Sequence, residues 1–145
     1  MDKIEQIRVL KDVIAQRKQL EREERIMCRP SISNSMAEQV YTWCNNYLIA
    51  HYELSKIERR RYVLYVLLAY MCPRALTGER ITRGLRNTLS KVAIGYTDKK
   101  TAISLDIPKI VFQFEHYSSF REVCIELITY VEGKLIKNTP NFLQK

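Results

Sequence analysis

Residues 79–110 read ERITRGLRNTLSKVAIGYTDKKTAISLDIPKI, and this stretch decides how the rest of the chain is arranged. Ile81, Leu85, Leu89 and Val92 recur at helical spacing and make one apolar stripe. Arg83, Arg86, Asn87 and Ser90 fall on the opposite side of the same helix. A break follows at Ala93–Tyr96, where Gly95 supplies the backbone freedom of a sharp turn. Thr97 or Asp98 then offers a side-chain oxygen to the orphan N–H groups of a second helix. In that helix Ile103, Ile107 and Ile110 share one face, while Lys100, Thr101 and Ser104 point elsewhere. Two short helices joined by a glycine-containing turn, the second polar outside and aliphatic inside, predict a helix-turn-helix over about 79–107.

Charge is partitioned around the same stretch. From Lys56 to Lys109 there are 12 Lys/Arg against 4 Asp/Glu, whereas residues 1–55 hold 8 of each sign and residues 110–145 hold 4 of each. The whole formal charge of +8 therefore belongs to the middle of the chain. Charge confined in this way suits a phosphate-backbone footprint, against the alternative of a solvated basic surface. Lys99, Lys100, Thr101 and Ser104 are the side chains expected to enter a major groove. Arg83, Arg86 and Lys91 are expected to grip phosphates, with part of the run Arg59, Arg60 and Arg61. Consecutive residues fan about 100° apart around a helix, so at most two of those three arginines can face one strand.

The segment from about Arg59 to Ile110 resembles the C-terminal DNA-binding domain of the bacterial replication initiator DnaA, a Trp-repressor-like helix-turn-helix. What matches is the order of parts. A basic residue leads into an apolar helix from Arg61 onward, followed by a second helix, a glycine-containing turn and a Thr-containing helix ending in Lys109 and Ile110. The family's turn and helix start carry a Gly-Gly-Arg-Asp-His-Thr-Thr type motif. Here the equivalent stretch is Gly95-Tyr96-Thr97-Asp98-Lys99-Lys100-Thr101, which keeps the glycine, an acidic residue and a Thr. The resemblance covers about a third of the chain, includes no ATPase module, and implies a shared helix-turn-helix type and double-stranded DNA as partner.

At 145 residues one compact all-α domain is expected, over 28–137, with an N-terminal helical arm over 1–27 and a tail over 138–145. Hydrophobic residues make up 46%, enough for a real core, and only 4 Gly and 4 Pro interrupt the helices. The charged N-terminus gives no secretory signal. The longest apolar run, Tyr62–Cys72, has 11 residues, against the ~20 needed to cross a bilayer, and reads as a buried core helix. Cys28, Cys44, Cys72 and Cys124 lie 16, 28 and 52 residues apart without a Cys-x-x-Cys pair, so free and mostly buried thiols in a reducing cytoplasm are expected. His51 and His116 have no companion at ligand spacing and read as helix-end or surface residues. With no phosphate loop or nucleophile elbow, and most of the 9 tyrosines on apolar helices as core residues with a wet hydroxyl, the chain reads as non-enzymatic, without cofactor or metal.

Along the chain, Ile4, Ile7, Leu10 and Ile14 share one side of a first helix whose apolar pattern decays after about two turns. An arm packing that half on its own domain, or a helix joining a homodimer, are the two readings. Arg29-Pro30 ends this helix. Ser35-x-x-Glu38 is read as the capping box of a second helix through about His51, with Val40, Trp43, Cys44 and Tyr47 inward. Glu53–Cys72 is read as the third helix, stopped by Pro73. Pro108 predicts a kink or break. Ser119-x-x-Glu122 is read as the start of a last helix to about Lys137, with Phe120, Val123, Leu127, Val131 and Leu135 inward.

The expectation is a small cytoplasmic DNA-binding protein, by analogy in size a transcription regulator from a phage or mobile element. The alternative is a helical interaction or assembly protein whose degenerate helix-turn-helix serves as scaffold. Leu105, on the outward side near Thr101, and the helix-limiting Pro108 speak for it.

Overall fold

The computed structural model describes residues 2–79, 83–92 and 100–138. Six α-helices follow one another there: α1 (Lys3–Met27), α2 (Asn34–His51), α3 (Lys56–Met71), α4 (Arg83–Val92), α5 (Lys100–His116) and α6 (Ser118–Asn138). A short 3-10 turn, Pro73–Thr77, follows α3, and no strand occurs among the described residues. The protein is all-α.

Helix α3 is the centre. Val63, Leu64, Val66, Leu67, Leu68, Tyr70 and Met71 are all buried, so its second half is apolar nearly all round, as a helix covered on every side must be. It packs against α2, α4, α5 and α6. The inward stripes of its neighbours meet it. Ala37, Val40, Cys44 and Leu48 come from α2; Leu85, Leu89 and Val92 from α4; Ile103, Ile107 and Ile110 from α5; Phe120, Cys124, Leu127, Val131 and Leu135 from α6. Trp43, Tyr47 and Val123 are only partly buried at the margin of this core. Tyr62 stacks on Phe120 at 4.7 Å and Tyr65 on Phe114 at 4.5 Å between ring centroids, while the hydroxyl oxygen of Tyr70 is buried with no hydrogen-bond partner among the described residues.

Local chemistry moves several boundaries. Helix α3 begins at Lys56 and not at Glu53, because Ser55 is its N-cap. The Ser55 hydroxyl accepts from the Glu58 N–H at 3.2 Å and donates to the Glu58 carboxylate at 3.0 Å. Helix α2 is capped by Ser33, whose hydroxyl accepts from the Met36 N–H at 3.2 Å, two residues before the expected Ser35. The third correction is Pro108, which lies inside α5 without ending it. Proline forfeits one ladder bond, and the burial of Ile103, Ile107 and Ile110 on either side holds the helix together. Helix α6 starts at Ser118, one residue before the expected cap, directly after α5. At that junction the Arg121 guanidinium donates to the carbonyls of Phe114 and Glu115, at 3.1 and 3.4 Å, satisfying groups orphaned at the end of α5.

Helix α1 contributes nothing to the core: none of its residues is buried. The reading of an arm packed on its own domain is therefore wrong for this helix. Among the described residues it is tied to the domain near its end, where Arg74 pairs with Glu24 at 2.7 Å, and just beyond it the Ser31 N–H donates to the Tyr70 carbonyl at 2.7 Å. Its terminus at Met27 agrees with the stop at Arg29-Pro30.

Candidate nucleic-acid interface

The two helices expected of a helix-turn-helix are present in order, α4 and then α5, and each buries the aliphatic face read from its spacing. They pack on each other and on α3. Ile81, Lys99 and the turn residues Gly95, Thr97 and Asp98 lie outside the described residues. Arg83, Arg86, Lys91, Lys100 and Thr101 have described backbone only, on α4 and at the start of α5. Their helical positions put Arg83 opposite Leu85, Leu89 and Val92, and Arg86 on the flank of that stripe.

Ser104 is half-buried, on the flank of α5 rather than at its crest. The crest belongs to Leu105, which is 65% exposed, with Pro108 and the half-exposed Phe112 further along. Leu105, Pro108 and Phe112, with the exposed Lys109 among them, thus occupy the outward face of α5 beyond its first turn.

The three consecutive arginines of α3 part company, as their angular fan requires. One Nη of Arg59 donates to the Leu54 carbonyl at 2.8 Å, tying the loop before α3 to the helix. Arg61 points to α5, where it lines a cleft of about 360 Å³ with Lys109, Gln113, Phe112 and Tyr117. Arg60 is half-buried and shares no such cleft. The pairing of Arg61 with Lys109 was not singled out from sequence. Its signal was only that both belong to the basic middle segment, since a separation of 48 positions hides their proximity.

Among the described residues no group of three or more His, Cys, Asp or Glu could hold a metal ion. His51 and His116 are the exposed last residues of α2 and α5, each in tilted ring contact, with Tyr47 and Phe112 respectively. No described helix is long and apolar enough to cross a membrane. All four cysteines are free, with Cys44, Cys72 and Cys124 buried and Cys28 half-buried. Burial pushes the Cys44 thiol up to about 12 from its ordinary 9.0, and moves Cys72 and Cys124 upward too. At pH 8 a thiol reagent should therefore titrate Cys28 alone in the native protein and all four cysteines after unfolding. Fast reaction of a second thiol would mean that the packing of α2, α3 and α6 opens readily. The same shift sets a pH dependence. The unfolded chain ionises these thiols above 9.0 while the folded chain keeps them protonated. Stability is intact below that pH and falls above it, by about 1.4 kcal/mol per pH unit for the Cys44 thiol up to pH about 12.

The fold and its charge distribution define a small all-α protein with a basic helical middle segment. Comparison with protein-family models, with curated proteins and with solved structures found no match to this chain.

Proposed function

We propose that this protein binds double-stranded DNA, with α4 and α5 as a DnaA-like helix-turn-helix and the first turns of α5 directed to the major groove. The observation that carries this reading is the charge partition, a net +8 held entirely between Lys56 and Lys109, in the segment that supplies α3, α4 and the start of α5. Lys99, Lys100, Thr101 and Ser104 read bases; Arg83, Arg86 and Lys91 hold phosphates, with Arg60 and Arg61 as the flanking contacts. Helix α1 joins two copies, which places two reading helices on one duplex. The role is that of a non-enzymatic, cytoplasmic regulator of the kind phages and mobile elements carry.

An electrophoretic shift with random duplex DNA at low and moderate salt tests this. Binding at about 10 µM or tighter near physiological salt, a level within the range of non-specific DNA binding, is the expected result on random duplex. Weaker binding at both salts would leave the second reading, a helical assembly protein using the same fold as scaffold. The exposed Leu105 and Phe112 on the outward face of α5 favour that second reading.

A further inference from the structure

Helix α1 is 25 residues long and buries none of them. Ile4, Ile7, Leu10 and Val13 all stand more than half exposed. Most helical stability in proteins comes from packing an amphipathic face, and isolated helices are marginal in water. The apolar half of α1 therefore calls for cover from outside its own domain. Around the helix, Ile7, Leu10 and Ile14 form the middle of the stripe, Lys11 and Lys18 border one edge, and Glu5 and Asp12 lie on the back.

A second uncovered apolar surface lies on α5. Leu105, Pro108 and Phe112 follow one another at steps of three and four along its exposed side. Beside them runs a groove of about 540 Å³, walled by Ala75, Ile107, Val111 and Phe112, with the carboxylates of Glu79 and Glu115 alongside. Glu79 is paired with Arg74, whereas Glu115 has no ion pair among the described residues.

We propose that this groove receives the N-terminal half of α1 from a second copy of the chain. The inference rests on the reading that α1 carries self-association, and adds the surface that accepts it. Size and polarity match: an apolar helix stripe with a lysine edge meets an apolar groove with acidic side chains. The helix of the same chain cannot serve. Arg74 holds both Glu24 of α1 and Glu79 of the groove, so each copy anchors the end of its α1 beside its own groove. Leu10 lies 14 residues before Glu24 in the same continuous helix, about 21 Å further on. Reciprocal exchange of the two helices closes a twofold dimer.

Sedimentation equilibrium of the full chain and its variants tests the assignment. The wild type should be a dimer. Leu10→Asp and Phe112→Asp should each weaken it by about 30-fold or more, as loss of a central apolar anchor does. Glu115→Lys should weaken it by about fivefold, and adding Lys11→Glu to that variant should restore the wild-type constant to within about twofold. Leu10, Phe112, Glu115 and Lys11 are all exposed, so each variant should still melt cooperatively, at a temperature lowered only by the loss of dimer. If Leu10→Asp dissociates the dimer while Phe112→Asp and Glu115→Lys do not, α1 pairs with α1 and the groove assignment is overturned with self-association intact. A wild type that stays monomeric to about 100 µM overturns both.

Discussion

Leu68→Ala should cost about 2–5 kcal/mol of folding stability, with Leu67→Ala in the same range. Both side chains are at most 1% exposed in α3, the helix that packs against α2, α4, α5 and α6. Truncation there loses the transfer free energy of the removed carbons and leaves a cavity that helices on several sides cannot close together. Folded domains hold roughly 5–15 kcal/mol in total, so a loss of this size consumes a large share. A melting temperature lower by about 5–15 °C is the measurable form. Leu105→Ala is the control: with 65% of the residue exposed, its change should stay within about 0.5 kcal/mol. Chemical denaturation that finds Leu67 and Leu68 as tolerant as Leu105 would take α3 out of the centre of the fold.

The second large effect concerns DNA and rests on the proposed interface. Replacing Arg83 and Arg86 together by alanine should lower the steepness of log K against log salt by about two units, since each phosphate contact contributes about 0.9. At 0.1 M salt each contact is worth roughly eightfold in affinity through counterion release, so the pair should cost roughly 60-fold. The loss should be the same on every duplex, because phosphates carry no sequence. Lys100→Ala or Ser104→Ala should behave differently, leaving the salt slope nearly alone for Ser104 and changing the ranking of duplexes by about 1–3 kcal/mol at a good site. Salt titrations on two unrelated duplexes read both quantities. Identical behaviour of the Arg83, Lys100 and Ser104 variants would show that no sequence is read.

Much of the fold was legible because burial follows periodicity. Ile103, Ile107 and Ile110, or Leu85, Leu89 and Val92, can share a face only on a helix, and all six are in the core. Helix starts were less legible because several serines compete within a few residues. Ser33 and Ser35 both lie at the start of α2, and either hydroxyl can in principle reach an N–H three residues on. Ser55-x-x-Glu58 is the same motif, hidden inside a stretch whose charges suggested that helix had already begun. Pro108 misled for another reason. Its cost is local, a few kcal/mol at most, and the isoleucines around it are buried against several partners at once.

Sequence by itself determined the all-α class, the identity of the central helix, the inward stripes and the concentration of positive charge in the middle third. Each of these depends on residue type and short-range spacing alone. Tertiary structure decided what those features do to one another. It left α1 without cover, joined Arg61 to Lys109 across a separation of 48 positions, spent part of Arg59 on the Leu54 carbonyl, and set the half-exposed Phe112 beside a groove with Glu115 alongside. Such outcomes depend on how helix faces meet in space. That arrangement follows from shape and packing of whole elements, to which no local pattern of residues has access.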